Sequence, residues 1–404
     1  MAEGTYTRNV AILAACQALF FMANTVVISV TALVGLQYAP SPGLATVPLG
    51  LQFVGTMLMT LPASFLMQRV GRRPGLLIGA VLAILAGLIG WRAIMDGSFW
   101  QFAAASFVYG LYGACAQYYR FTAADAADVD PPKKLGADAA RGRAISWVMA
   151  GGTVAAVLGP QLAVATRDLF APITFAGCFA AVAALGAASL LLLLGLRIPH
   201  GHGGGFASAG RPLAEIARDP RAVLAFAGAL VAYVTMNLLM TATPLAMQAC
   251  GYGFSDAAFV IQWHVLGMFL PSFAAGWLTA RLGSVRMIGL GVLVMFACVA
   301  VDLKGIQIAH FAWGLMLLGV GWNFMFVGGT TLLTCCYAAQ EKAKVQGLND
   351  FLIFTFVGIS ATSSGALHQL VGWTGLNLAV LPGLLLVGAL VLVRLQRPLV
   401  PSAA

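Results

Sequence analysis

Twelve apolar runs, each about as long as a bilayer is thick, dominate the chain and leave little room for any other architecture. They lie at 10–37, 46–67, 75–95, 98–119, 144–166, 171–196, 221–248, 255–279, 285–303, 309–334, 347–368 and 373–395. A helix needs about 20 mostly apolar residues to cross about 30 Å of hydrocarbon. With no water there, every backbone N–H and C=O must bond within its own segment, which selects helices. A soluble core cannot absorb such a chain. Of its 404 residues 60% are apolar and 9% charged, against about 45–50% and about 25% in soluble domains. The expected fold is an all-α membrane protein of twelve transmembrane helices in two pseudo-symmetric six-helix bundles. No A-x-A cleavage site follows the first run, which reads as an uncleaved helix rather than a signal peptide.

The charges give the orientation. The net charge of +9 does not mark a nucleic-acid binder, because the basic residues sit in short loops between apolar runs. Of the 22 Lys and Arg, 19 fall on the side that holds both termini; Arg92, Arg167 and Lys304 fall on the other. The positive-inside rule makes the basic face cytoplasmic. A multi-pass membrane protein with both termini in the cytoplasm is expected, monomeric and surrounded by lipid. The seven Cys form no CxxC pair and no disulfide framework.

Residues 199–220 are the longest polar, Gly-rich stretch, with His200 and His202 near its start. They read as a cytoplasmic linker between an N-terminal half, 1–198, and a C-terminal half, 221–404. A weak repeat supports two halves. Ser64-Phe-Leu-Met-Gln-Arg69-Val-Gly71-Arg72-Arg73 aligns with Gly276-Trp-Leu-Thr-Ala-Arg281-Leu-Gly283 at an offset of 212. These residues resemble the loop signature G-x-x-x-D-R-x-G-R-R of the major facilitator superfamily, a family of two-half transporters. The Arg and Gly positions match, whereas Gln68 and Ala280 stand where the family has an acid.

Ionisable or metal-binding groups at membrane depth are functional candidates because burying them is costly. None of the thirteen acids lies at the centre of a run, which argues against a midplane carboxylate relay. His264 is the one deep histidine and is followed one turn later by Met268; Met236 and Met240 have the same spacing in the preceding run. At 1.5 Å per residue, Met240 and His264 lie roughly 12–13 Å below the outer end, and Met236 and Met268 roughly 18–20 Å. If the two helices are neighbours, three thioethers and one imidazole converge. Such donors suit copper, as Cu(I) above all. Met also fills gaps in apolar packing, so plain core packing stands beside this reading.

The two motifs together are similar to those of CcoA-type bacterial copper importers. That resemblance implies copper import by alternating access through Met236, Met240, His264 and Met268. It further implies handover to a cytoplasmic copper acceptor for haem–copper oxidase assembly, with copper as substrate and no cofactor. Cys250, Cys335, Cys336 and Tyr233 are candidate relays or gates, and Arg120 with Asp125 a candidate inner gate. The alternative is a small organic solute such as riboflavin, imported or exported through a cavity with Trp263, Trp322, Asn323 and Tyr112. No HExxH motif, paired deep carboxylates or Ser–His pairing appears, so an enzyme is not expected.

The orientation has a direct test. A fluorescent protein fused after Ala404 is expected to fluoresce in cells, and alkaline phosphatase to be active when fused after Lys304 but not after Ala404. The opposite pattern would invert the topology.

Overall fold

A computed structural model describes residues 2–129, 137–198, 210–338 and 341–396. Every regular element among them is helical. In chain order these are α1 (Ala2–Tyr38), a short 3₁₀ turn (Pro42–Leu44), α2 (Val47–Val70), α3 (Arg72–Met95) and α4 (Phe99–Ala116). Then come α5 (Tyr118–Val129), α6 (Ala137–Thr166), α7 (Ala176–Leu194), α8 (Leu213–Ala217) and α9 (Pro220–Ala249). The chain ends with α10 (Phe254–Phe269), α11 (Ser272–Leu282), α12 (Ser284–Asp302), α13 (Ile308–Thr334), α14 (Lys342–Ala379) and α15 (Leu381–Gln396). Among the described residues, nine helical segments are long and apolar enough to cross a membrane. One of the nine, Lys344–Gln396, is 53 residues long and breaks at Gly372, where φ is 65°, so it holds two spans. With α4 and α6 the count reaches the expected twelve.

Several boundaries differ from the sequence expectation, each for a local reason. The fourth run divides at Gln117, so that α5 turns the chain along the basic face. The eighth run divides before Pro271, whose ring cannot continue a helix with an N–H donor. Pro62, Pro160 and Pro244 by contrast lie inside helices, as transmembrane packing allows. α9 starts cleanly, because the Asp219 carboxylate accepts from the Arg221 N–H at 2.7 Å and Pro220 occupies the first turn.

Two buried clusters form the cores. One gathers residues from Tyr6 to Leu196 together with Leu245 and Phe254; the other runs from Ile216 to Val391. Within each, small residues let helix backbones approach closely. Gly87 and Gly186 seat α3 against α7, where an added Cβ would strike Ala183 and Ala83. Gly267 and Gly319 do the same for α10 and α13, against the backbones of Met316 and His264. The sequence repeat has a shared shape. Gly71, between α2 and α3, has φ 93° and ψ 163°; Gly283, between α11 and α12, has φ 82° and ψ 153°. Two glycines 212 residues apart therefore take the same left-sided conformation.

His200, His202 and the Gly-rich stretch to residue 209 lie outside the described residues. The described end of the linker expectation, from residue 210, is clamped on the second core. The Glu341 carboxylate accepts from the Arg211 backbone N–H at 2.7 Å, from the guanidinium at 2.9 and 3.1 Å, and from the Ala338 N–H at 2.9 Å. Arg211 in turn donates to the Cys336 carbonyl at 3.1 Å. These bonds, the guanidinium's first, pull the Glu341 carboxyl down to about 2. Its charge and the clamp therefore persist at all pH values above the ordinary carboxylate range and fade only as pH falls toward 2.

At the two glycine turns a side chain is disfavoured by the positive φ itself. Gly71→Ala and Gly283→Ala are each expected to cost about 1–3 kcal/mol, read as a lowered thermal midpoint of the purified protein. An unchanged midpoint for both would remove the turn geometry from the account.

Candidate functional site

A cavity of about 290 Å³ lies between the two cores, close to the lower end of the usual ligand-site range of about 300–1,000 Å³. Its walls come from α1 and α2 (Phe20, Phe21, Asn24, Gln52), from α9 (Tyr233, Met236, Asn237, Met240) and from α10 (Ile261, Val265, Met268). Trp322 and Phe326 of α13 close the far side. The cavity runs to Arg120 of α5 and Asp350 of α14, both at the basic-face ends of their helices. At the opposite face the halves meet. Phe175 and Phe254 pack edge-on with centroids 5.2 Å apart, and the Arg167 guanidinium lies 5.6 and 5.7 Å from the two rings. There too the Thr46 hydroxyl donates to the Thr362 carbonyl and accepts from the Gly365 N–H, each at 3.0 Å. The structure is therefore closed on one side and lined for access from the basic one.

The wall has an aromatic surface and polar spots. Trp322 and Phe326 stack at 5.1 Å with 8° between their planes. Tyr233 stands edge-on to both, at 5.1 and 5.4 Å. Across the cavity Phe21 and Phe269 pair at 5.1 Å. Gln52 donates from Nε2 to Asn24 Oδ1 at 3.1 Å, but its Oε1 has no hydrogen-bond partner within the protein. Neither amide atom of Asn237 has one, nor does Trp322 Nε1 or Arg120 Nε. Asn237 is fully buried. A dry, unpaired polar group costs about 1–3 kcal/mol; such atoms occur elsewhere in the protein too, but those on the cavity wall are the ones a bound solute can complete.

The predicted copper ligands divide. Met236, Met240 and Met268 line the cavity, but His264 does not. The imidazole is fully buried between α10 and α13, where Nδ1 donates to the Leu315 carbonyl at 2.8 Å. The assumption that α9 and α10 are close neighbours fails, because α13 packs extensively against both while they touch sparingly. Among the described residues no three His, Cys, Asp or Glu side chains gather as a metal site.

The other candidates scatter as well. Cys250 caps α9 in an exposed position. Cys335 is exposed and Cys336 buried, with Sγ atoms toward carbonyls of their own helix at 3.5 and 3.3 Å. Asp125 pairs with Arg72 at 2.8 Å rather than with Arg120, whose guanidinium lies 4.8 Å from the Phe121 ring. Of the residues named for an organic solute, Trp322 is in the wall. Tyr112 stands behind Phe20 at 5.4 Å, edge-on. Asn323 is engaged with the Met268 carbonyl and the Ser272 hydroxyl, and Trp263 is 40% exposed beside Phe259. Asn237 was missed, although Tyr233, Met236, Asn237 and Met240 follow the i, i+3, i+4, i+7 stripe of one helix face.

Residues 13–301 match the Major Facilitator Superfamily family model. The chain belongs to that superfamily. It is a transporter and not an enzyme. Over 399 residues it is 40% identical to riboflavin transporter RfnT of Brucella anthropi, covering 98% of this chain and 97% of that one. It is 29% identical over 373 residues to YddS of Bacillus subtilis, an uncharacterised transporter of MFS type, covering 85% and 80%. In fold it is similar to a bacterial homologue of the human lysosomal transporter Spinster, solved inward-facing and occupied. There the TM-score is 0.70 at 18% identity, over 96% and 97% of the two chains.

These findings overturn the copper expectation. A relative matching nearly end to end at 40% identity is a riboflavin transporter, not a CcoA-type importer. Copper as substrate, the copper acceptor and the metal-binding assignment are withdrawn. The physical error was to take α9 and α10 as side by side: α13 packs against both, and His264 is not in the cavity wall with the three thioethers.

Proposed function

We propose that this transporter moves riboflavin across the bacterial inner membrane by alternating access, with its basic face in the cytoplasm. The observation that carries the reading is the stacked Trp322–Phe326 pair with Tyr233 edge-on, in a mostly apolar cavity that also holds the amides of Asn24, Gln52, Gln117 and Asn237. The isoalloxazine ring system is flat, aromatic and uncharged. Its faces suit aromatic stacking, its carbonyl and N–H edge suits amide side chains, and its ribityl hydroxyls suit the polar end of the cavity near Gln117 and Arg120. The 40% identity to a riboflavin transporter supports the same substrate. Met236, Met240 and Met268 take the role that unbranched thioethers often have, shaping themselves to a large ligand.

In this reading the halves rock about the cavity. The Phe175–Phe254 and Thr46–Thr362 contacts open when the outer side does, and Arg120 of one half closes toward Asp350 of the other at the cytoplasmic mouth. Tyr233 is placed to follow that closure, since it lines the cavity between the two charges and the aromatic pair.

The test is radiolabelled riboflavin flux into proteoliposomes holding the purified protein. Saturable uptake by the wild type is expected, unaffected by added copper. Trp322→Ala is expected to raise KM about tenfold, the upper range for one lost aromatic pairing, with the maximal rate changed less than about threefold. No riboflavin flux in either direction would reject the assignment.

A further inference from the structure

Asn237 is the one residue of the cavity wall whose amide is wholly unpartnered and wholly buried. It sits on α9 in the stripe Tyr233, Met236, Asn237, Met240, so its neighbours on that face are cavity residues. Neither its Oδ1 nor its Nδ2 has a hydrogen bond within the protein, and its relative exposure is 0%. Packing does not require an amide here, since Leu has the same branched skeleton of four side-chain heavy atoms without polar groups. A second wall group, Trp322 Nε1, is in the same unpaired condition, on the ring that forms the stacking surface. An acceptor and a donor on one rigid amide, beside an aromatic plane, are complementary to one chemical group: an imide edge, N–H flanked by C=O, on a flat heterocycle.

Resting on the flavin reading above, we infer that Asn237 is the specificity-determining residue that reads the pyrimidine-like imide edge of the substrate. Oδ1 accepts from the ring N3–H while Nδ2 donates to the adjacent carbonyl, as the cavity closes and this wall turns onto the ring. A site that hydrogen-bonds a substrate N–H rejects an analogue lacking it far more strongly than an apolar pocket rejects a missing methylene. Flat solutes without an imide are then excluded even though the aromatic surface would accept them.

The experiment compares riboflavin with 3-methylriboflavin, which keeps the ring and ribityl chain but has no N3–H. Binding is read by quenching of flavin fluorescence, and transport by competition with radiolabelled riboflavin. The wild type is expected to bind the methylated analogue at least tenfold more weakly. Asn237→Leu is expected to weaken riboflavin by about tenfold to a hundredfold, the range for a lost hydrogen-bonded pair, and the analogue by less than threefold. The discrimination between the two ligands therefore collapses. The thermal midpoint of the empty Asn237→Leu protein is expected to equal or exceed that of the wild type, because a dry amide has been removed. Equal wild-type affinity for the two flavins overturns the inference without any variant, as does full discrimination retained by Asn237→Leu or, should that protein not fold, by Asn237→Ser. Wild type that binds neither flavin rejects the substrate assignment itself, which is a different result.

Discussion

The absence of water from the hydrocarbon is the constraint on which everything else in this molecule depends. It forces the backbone into helices, because no other open structure satisfies its own N–H and C=O groups. It also removes the hydrophobic drive for helices to associate, since lipid tails are as apolar as Leu. Association must then come from close backbone approach, and Gly87, Gly186, Gly267 and Gly319 supply it where a Cβ would collide. The same dryness makes each unpaired polar atom expensive. Most deep hydroxyls avoid that cost by donating to a carbonyl one turn back, as Ser29, Thr31 and Thr243 do. Asn237 and the Trp322 indole do not, nor do groups elsewhere such as Thr241 and Ser189, but these two border the cavity. In a solvent that penalises orphans, their location carries information that composition cannot.

The same constraint explains how the halves can move. Each half has its own main buried cluster, and across the seam α2 packs on α14 and α6 on α10, with two aromatic rings under one guanidinium and one threonine exchanging hydrogen bonds with a helix at the closed face. Such contacts can be separated and remade without disturbing either core. The matching conformations of Gly71 and Gly283 fit this picture. Turns in a conformation that favours glycine join α2 to α3 and α11 to α12 at equivalent places in the two halves.

How much was legible beforehand follows from which properties are one-dimensional. Span number, helical class and the Gly71–Gly283 repeat are patterns along the chain, and the structure has them. The break at Gln117 and the division before Pro271 shifted element ends, as local turn chemistry does. The site was read less well. Helical spacing correctly put Met236 and Met240 on one face, and they do line the cavity with Met268. Whether His264 joined them depended on a fact no spacing holds, namely that α13 lies between α9 and α10 and offers the Leu315 carbonyl to the imidazole. The partner of Asp125 was likewise not readable from spacing, because Arg72 from another helix pairs with the carboxylate here. Asn237 lay in plain view between two methionines. An amide in the middle of an apolar run was the stronger signal, since Met packs without any partner and a buried amide needs one, as Asn323 finds in the Met268 carbonyl and Ser272.

That distinction bears on how a transporter uses its substrate. A ligand can shift an equilibrium between two states only by the difference in its affinity for them. Stacking on Trp322 and Phe326 is available whenever the cavity is open and so favours capture without favouring closure. Hydrogen bonds to atoms that are dry and unpaired in the present state are different, because they form only when the wall carrying them turns onto the ring. Each such bond relieves a standing cost of about 1–3 kcal/mol, and a swing of about 5.5 kcal/mol carries a two-state equilibrium from 1:99 to 99:1. Two or three orphan atoms satisfied together are enough to make closure follow the correct solute and no other. An aromatic cavity with fully satisfied walls would bind flat molecules as well, but it would have no physical means of telling its substrate when to move.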